Sequence, residues 1–204
     1  KTAYEIMPSL VGSEMCIRDS PTAITLAAKD SSDASYVAKI IGGPQFRTYV
    51  SDDPIGAQVA GATKNVLAIA CGIAEGKSLG QNAIAAIITR GIAEIGRLTT
   101  ALGGSAESMM ELAGVGDVVL TCTSSQSRNF SFGCHVGREQ TPISALIKSS
   151  GTVEGFGTAA SIAYLSQRLQ IDMPIMQAVA QVLHQGANID NTISSLLARS
   201  SNGT

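Results

Sequence analysis

The pattern of apolar residues changes at Asp53-Pro54, and this change constrains the fold more than any other feature of the chain. Before it, two short segments with strand character flank a helical one, within about 30 residues, which is the size of one βαβ unit. These segments are a strand at 23–28, a helix at about 33–41 capped by Ser31 or Ser32, and a strand at 46–50. After it, strand signals vanish. We therefore expect a mainly α protein.

The helical part is predicted to extend from residue 53 to residue 204, as a substrate and catalytic domain. Its helices are expected at about 55–75, 82–102, 106–112, 129–138, 142–149, 155–169, 174–184 and 190–199. On the second of them, Arg90 and Glu94 lie four residues apart and are expected to pair on the outer face. Residues 21–52 cannot cover a parallel sheet with a single βαβ unit. They are predicted to be a remnant of a larger dinucleotide-binding domain of the Rossmann type.

Residues 1–20 follow neither pattern, and they lack the regions of a signal peptide. Residues 10–19 are similar, over ten unbroken positions, to the translation of a transposase adapter used to prepare DNA sequencing libraries. We expect residues 1–20 to be an assembly artefact joined to a truncated gene. Re-amplifying the locus across this junction tests that hypothesis.

Composition excludes several classes of function. The formal charge is −2 and no basic cluster occurs, so a nucleic-acid partner is not expected. The longest apolar run, at about 66–74, is far shorter than the roughly 20 residues of a membrane span. The four cysteines form no CxxC pair and no metal-ligand spacing, so we expect no metal and buried free thiols in a cytoplasmic protein.

Lys64 interrupts an apolar helical stretch that is rich in alanine and glycine. An ammonium near such a surface costs free energy unless it has a partner, and a lysine held in that way can donate a proton to a substrate oxygen. The alternative is that Lys64 points outward from the polar edge of its helix.

A second polar stretch, at 121–129, offers hydroxyls, one amide and one guanidinium near the start of a helix. That combination suits a phosphate, because arginine provides two-point hydrogen bonding and helix N–H groups favour an anion. The alternative is a connection whose side chains bond the local backbone. Asp117, beside two glycines, is on its own a candidate for a cap or turn residue.

Four stretches resemble bacterial NAD(P)-dependent glycerol-3-phosphate dehydrogenase, and the resemblance covers about residues 21–200. They are Gly61-Ala-Thr-Lys-Asn-Val-Leu-Ala-Ile-Ala70, Thr89-Arg-Gly-Ile-Ala-Glu94, Leu112-Ala-Gly-Val-Gly-Asp-Val-Val-Leu-Thr-Cys-Thr123 and Ser127-Arg-Asn129. The resemblance implies an N-terminal Rossmann domain and a C-terminal helical domain. It also implies reduction of dihydroxyacetone phosphate to sn-glycerol 3-phosphate with NAD(P)H, for phospholipid synthesis.

The resemblance assigns a role to each polar position. Lys64 matches the catalytic lysine and Asp117 the acid that positions it. The positions matching substrate-binding residues are Asn65, Thr121, Ser127, Arg128 and Asn129. The positions matching cofactor-binding residues are Arg128, Val153 and Glu154.

No GxGxxG sequence follows a strand in this chain, so the chain alone is expected to bind NAD(P)H poorly and to show no turnover. The choice between NAD and NADP, and a homodimeric assembly, stay open. Two other functions also stay open. One is a β-hydroxyacid-type dehydrogenase in which Arg128 grips a carboxylate. The other is a non-catalytic helical interaction module, in which Lys64, Asp117 and Arg128 would tolerate alanine.

Overall fold

A computed structural model describes residues 21–139, 141–149 and 151–198. The chain divides into two compact units, the first ending at Pro54 and the second beginning at Ile55. The hypothesis about residues 1–20 lies outside the described residues.

The first unit is a strand–helix–strand unit. Strands β1 (Thr22–Ala27) and β2 (Phe46–Ser51) pair in parallel, in the register that joins Thr22 to Phe46 and Ala27 to Ser51. Helix α1 (Ser31–Ile41) connects them. The Asp30 carboxylate accepts a hydrogen bond from the Ser32 N–H at 2.8 Å. The cap is therefore Asp30, and the expectation of Ser31 or Ser32 was wrong, because the helix begins two residues earlier than the pattern indicated.

The described residues of the second unit form helices joined by loops, without a strand, which confirms the mainly α prediction. Its α-helices are α2 (Pro54–Gly76), α3 (Gln81–Ala101), α4 (Asp117–Thr123), α5 (Arg128–Glu139), α6 (Pro142–Lys148), α7 (Glu154–Leu169), α8 (Pro174–His184) and α9 (Ile189–Ala198). The expected helix at 106–112 is instead a 3-10 helix, Ala106–Met110, followed by a π-helical turn, Leu112–Gly116. At that turn, a Cβ on Gly114 would lie 2.3 Å from the Met109 carbonyl oxygen, so the tight path requires glycine.

Helix α2 forms the centre of the core. Val66, Leu67 and Ile69 on this helix are fully buried, and helices α3, α5, α7 and α8 contribute further buried residues to the same cluster. Among the described residues, α2 is the one helix long and apolar enough to cross a membrane. More than half of its most apolar stretch is buried inside the protein, so the core accounts for its composition.

Glycines bring α2 and α5 into backbone contact. A Cβ on Gly72 would lie 2.1 Å from the Phe130 carbonyl oxygen, and one on Gly76 would lie 2.4 Å from that of Cys134. On α5, a Cβ on Gly133 would lie 2.3 Å from the Ile69 carbonyl oxygen. Residues further along α2 contact residues further along α5, so the two helices run in the same direction here. The first turn of α5 is therefore held beside the polar segment of α2 that contains Lys64.

Glu94 points into the core, so the predicted outer-face pair with Arg90 was wrong. Its side chain is almost fully buried, and its two carboxylate oxygens accept hydrogen bonds from the N–H groups of Ile175 (2.8 Å) and Met176 (3.1 Å). These N–H groups belong to the first turn of α8, where the helix itself offers them no acceptor. The residue before that helix, Met173, makes no side-chain cap hydrogen bond with them. Burial raises the pKa of Glu94 to about 7, although the two N–H donors oppose that rise.

Candidate active site

Lys64 on α2 and Asp117 on α4 form an ion pair between Nζ and Oδ2. The side chain of Lys64 is 23% exposed and that of Asp117 is 38% exposed. The lysine therefore points toward a partner, and one side of the pair remains open to a ligand.

Two local features place Asp117. The π-helical turn ends at Gly116, so Asp117 becomes the first residue of α4. The backbone N–H of Asp117 donates to the carbonyl oxygens of Gly114 and Leu112, so α4 continues directly from that turn. The Thr121 hydroxyl donates to the Asp117 carbonyl oxygen at 2.6 Å, which is a bond within the helix. Thr121 thus lies one turn after Asp117.

A second set of hydrogen bonds joins α2, α5 and α7 next to this pair. The Asn65 side-chain amide donates to the Glu154 carboxylate at 3.2 Å, and the Asn129 amide donates to the Asn65 carbonyl oxygen at 3.0 Å. The Asn129 carbonyl oxygen accepts from the Gly155 N–H at 2.9 Å. Because Lys64 and Asn65 are consecutive, α2 carries both polar groupings. We name the set of Asn65, Asn129, Glu154 and Gly155 the amide network.

The serine-rich segment before α5 bonds largely to its own backbone. The Ser127 hydroxyl accepts from the Phe130 N–H at 3.3 Å, which caps α5, and the Ser131 hydroxyl donates to the Ser125 carbonyl oxygen at 2.8 Å. This agrees in part with the alternative of a locally bonded connection.

Arg128 differs from these serines. It is exposed at the first residue of α5, and its guanidinium forms no hydrogen bond or ion pair with any residue that the structure describes. A Cβ on Gly151 would lie 3.2 Å from Arg128 Nη1, which places the guanidinium beside that loop. The group is therefore available to an anion.

Val153 and Glu154, which match cofactor-binding positions together with Arg128, differ in what they can offer. The Val153 side chain is buried, so only its backbone can reach a ligand. Glu154 is exposed at the first residue of α7.

The sequence reasoning gave no role to Gly155, although it named the stretch that contains it. A Cβ there would lie 2.7 Å from the Asn65 carbonyl oxygen of the backbone and 2.8 Å from Asn129 Oδ1. A glycine beside two polar matches was the available signal, because such a position allows a close approach of the backbone.

Cys71 and Cys122 also connect the helices that carry Lys64 and Asp117. Both are buried free thiols, as expected, and so is Cys134, whereas Cys16 lies outside the described residues. A hydrogen bond with Cys71, together with burial, raises the pKa of the Cys122 thiol, and burial raises the pKa of Cys134. Neutral buried thiols are chemically inert, so these two act in packing. In the part of the chain that the structure describes, no three His, Cys, Asp or Glu side chains cluster as metal ligands.

Residues 53–194 match the family described as NAD-dependent glycerol-3-phosphate dehydrogenase C-terminus. The chain belongs to this family.

Related proteins agree with this assignment. Glycerol-3-phosphate dehydrogenase [NAD(P)+] of Caulobacter vibrioides is 45% identical over 192 residues, which are 94% of this chain and 57% of that protein. The protein of the same name from Paucimonas lemoignei is 48% identical over 180 residues, 88% of this chain and 53% of that protein. The chain thus spans about half the length of the curated relatives it matches.

Solved structures carry the same fold. Glycerol-3-phosphate dehydrogenase from Coxiella burnetii superposes with a TM-score of 0.86 and 39% identity, over 94% of this chain and 58% of that one. The Saccharomyces cerevisiae enzyme GPD1 has a TM-score of 0.78 at 24% identity, over 87% of this chain and 54% of that one, and at that identity it supports the fold alone. The dehydrogenase family prediction is confirmed.

Proposed function

We propose that this chain provides the C-terminal catalytic part of an enzyme that reduces dihydroxyacetone phosphate to sn-glycerol 3-phosphate with NAD(P)H, for glycerophospholipid synthesis. The observation that supports it best is the half-buried ion pair of Lys64 and Asp117, next to the Arg128 end of α5 and the amide network. An ammonium, an anion-binding guanidinium and amide donors on neighbouring helices suit a small phosphorylated carbonyl compound.

Lys64 is the proton donor in this proposal. Its ammonium lies against the Asp117 carboxylate, which fixes the direction of Nζ. The ammonium gives a proton to the carbonyl oxygen as that oxygen becomes an alkoxide, and in the reverse direction the amine takes the alcohol proton. NAD(P)H, when bound, supplies the hydride.

Substrate positioning belongs to the first turn of α5 and to α2. The Arg128 guanidinium binds the phosphate, together with Ser127 at the start of the same helix, where unpaired N–H groups favour an anion. The Asn65 amide and the Thr121 hydroxyl lie one residue and one turn from Lys64 and Asp117, respectively. They are the hydrogen-bonding groups that orient the carbon skeleton.

The cofactor would meet this chain at the exposed start of α7. The Glu154 carboxylate can accept from an amide N–H, the Val153 backbone is beside it, and Arg128 can bind a phosphate oxygen. These donors and acceptors fit a nicotinamide nucleotide. The glycine-rich loop that would hold its pyrophosphate does not occur in this sequence.

The test uses the protein with its upstream domain recovered from the native gene. Dihydroxyacetone phosphate should drive NADPH or NADH oxidation, whereas unphosphorylated dihydroxyacetone and the keto forms of a panel of β-hydroxy acids should not. The 204-residue chain alone should show no turnover. Equal rates with the phosphorylated and unphosphorylated ketones would refute the assignment of Arg128, and a faster reaction with the keto form of a β-hydroxy acid would identify a different dehydrogenase.

The proposal includes a cytoplasmic homodimer. The buried free thiols support the cytoplasmic location, because they suit a reducing compartment, and the homodimer rests on the family resemblance alone. Sedimentation of the recovered protein measures the oligomeric state.

A further inference from the structure

Helices α2, α3, α8 and α9 enclose a cavity of about 140 Å³, whose lining includes neither Lys64 nor Asp117. Its lining is aliphatic apart from Thr192 and Arg90. Protein interiors hold few voids larger than a water molecule, and a void of this size costs stability because the side chains around it lose contacts. An apolar ligand that fills the cavity would restore those contacts.

The cavity extends from the core to the surface of the helical unit. Ala74, Ile175 and Val179 line it and are buried. Leu197, which also lines it, is 78% exposed, and Arg90 is exposed as well. A ligand can therefore enter past Arg90 and reach the buried aliphatic side chains.

Among the described residues that line the cavity, Arg90 is the one that carries a charge. Within residues 21–139, 141–149 and 151–198, its guanidinium takes part in no hydrogen bond or ion pair. Arg97, two turns further along α3, instead donates to the Asp172 carbonyl oxygen at 3.0 Å. The Glu94 carboxylate, one turn after Arg90, accepts from N–H groups of α8. The charge of Arg90 is thus available to a ligand.

We propose that this cavity binds straight-chain aliphatic monocarboxylates, the class to which fatty acids belong. The alkyl chain lies among the side chains of α2, α8 and α9, and the carboxylate pairs with the Arg90 guanidinium, which offers two-point hydrogen bonding. An apolar cavity of about 150 Å³ holds the six carbons of benzene, so this cavity holds about six carbons of the chain. The proposal goes beyond the proposed function and does not rest on it, because the cavity contains none of the residues assigned to the reaction.

A side chain from a second copy of the protein is the other occupant to consider. A stable interface buries at least about 1,000 Å², whereas a cavity of this size admits one side chain. No amino-acid side chain combines a carboxylate with a chain of six carbons. The pairing of an aliphatic cavity with an available guanidinium therefore favours the small amphipathic anion.

Titration calorimetry of the 204-residue chain with hexanoate, heptanoate, octanoate and decanoate is the first measurement. We expect one site per chain. The affinity should rise about fourfold for each methylene added up to octanoate, since each leaves water for an apolar cavity, and should rise little from octanoate to decanoate, because the cavity is then full. An affinity independent of chain length would overturn the proposal.

The role of Arg90 is tested by comparing octanoate with octylammonium, which has the opposite charge. The unsubstituted chain should bind octanoate about fivefold more tightly. Arg90→Gln should remove this preference, whereas Arg168→Gln, at an exposed arginine of α7 outside the cavity, should retain it. A preference that survives in Arg90→Gln would overturn the proposal. Because Arg90 is exposed, its loss should leave the fold intact.

Ala178→Leu fills the cavity from α8 and tests where the ligand binds. The variant should lose binding of every carboxylate and melt at the same temperature as the unsubstituted chain or higher, since its added carbons occupy the void. Octanoate binding by the folded variant would place the ligand elsewhere and overturn the proposal. Sedimentation should show the same oligomeric state for both proteins. Conversion of a dimer into a monomer by Ala178→Leu would identify the cavity as a contact between copies and would also overturn it.

Discussion

Lys64 is a charged residue on the core helix of the protein, and its surroundings explain how it remains there. The helix that carries it has fully buried residues directly after it, from Val66 to Ile69. The Asp117 carboxylate offsets the cost of keeping an ammonium next to that surface, while the 23% exposure of the lysine leaves its proton accessible. The same carboxylate therefore offsets the cost of the charge and fixes the direction of the ammonium, which is the role that the proposed function requires.

Replacing Lys64 with alanine should remove activity and preserve the fold. In the protein with its upstream domain, the loss of a general acid should reduce kcat by about 10²- to 10⁴-fold. The melting temperature should change little, because a partly exposed ion pair contributes at most about 1 kcal/mol. The measurement is steady-state oxidation of NADPH with dihydroxyacetone phosphate, next to a thermal melt of the same preparation.

Lys77→Ala is the matched control for that variant. Lys77 directly follows the same helix, is similarly buried at 18% exposure, and pairs with Asp190 at 2.6 Å. Its loss removes a lysine and an ion pair without touching the site, so kcat should stay unchanged. Comparable losses in both variants would indicate a structural effect of the lysines and would contradict the catalytic role of Lys64.

At the scale of elements, helices α7 and α8 of the second unit take their caps from other helices. Helices α7 and α8 follow Val153 and Met173, whose side chains cannot accept a hydrogen bond. Asn129 from α5 and Glu94 from α3 pair the unpaired N–H groups instead. Each cap also fastens one helix to another, so the start of α7, with Glu154, is fixed by the same residue that bonds Asn65.

The cap at α8 predicts a pH dependence of stability. The pKa of Glu94 in the folded protein is about 7, above its ordinary value of 4.5, so folding favours the protonated form. The stabilisation is complete below pH 4.5 and is lost as the pH rises through about 7. Its size is about 3 kcal/mol, from 1.36 kcal/mol for each unit of pKa difference.

Glu94→Gln should remove that dependence, since glutamine does not titrate. Urea unfolding from pH 4.5 to pH 8 should give a smaller fall in the free energy of unfolding for this variant than for the unsubstituted chain. Glu111→Gln, at an exposed glutamate, should leave the pH profile unaltered. Parallel profiles for the Glu94 variant and the unsubstituted chain would contradict the assignment of the titration to Glu94.

These caps show which parts of the fold could be predicted from the sequence and which could not. Most helices from α2 onward are close to their expected bounds, because their signals are local: an apolar period, Gly103-Gly104 after α3 and Pro174 at the start of α8. Helix α4 was not expected. The partner of Glu94 was assigned wrongly because the rule for residues four apart sees only its own helix. A cap supplied from 81 residues away along the chain has no local signal.

For the candidate site too, sequence reasoning found the residues but not the contacts between them. Asn65 and Asn129 were named from motifs, and their bond could not be foreseen, because it depends on how closely α2 and α5 approach. That approach depends on glycines that sequence reasoning did not single out, Gly72 and Gly133.

The helix crossing predicts opposite effects for two glycines of α2. A Cβ on Gly72 would meet backbone at 2.1 Å, so Gly72→Ala must push α5 away and should cost at least the 1–3 kcal/mol typical of overpacking. A Cβ on Gly61 meets nothing within 4 Å, so Gly61→Ala should stabilise the helix by up to about 1 kcal/mol. Chemical denaturation of both variants of the 204-residue chain is the measurement. A similar sign for the two would contradict the close packing of α2 and α5.

At the scale of the whole molecule, the two units differ in how much they bury. Within residues 21–54, only Ala34 and Ser51 are buried, while Tyr36 and Ile40 on α1 are more than 60% exposed. A two-stranded sheet with one helix has little apolar area to stabilise it. In the second unit, one cluster of buried side chains includes residues from Ala60 to Ile189.

This asymmetry predicts unequal protection of backbone amides against hydrogen exchange. Amides of β1, α1 and β2 should exchange by local opening that costs little free energy, whereas those of α2 around Leu67 should exchange only through global unfolding. Exchange measured by mass spectrometry on the 204-residue chain, at several concentrations of denaturant, separates the two cases. Added denaturant should accelerate exchange in α2 steeply and in the strands only slightly. Equal protection of β1 and α2 would mean that the first unit unfolds together with the helical core, and the helical unit could then not be treated as an independent carrier of the Lys64–Asp117 pair.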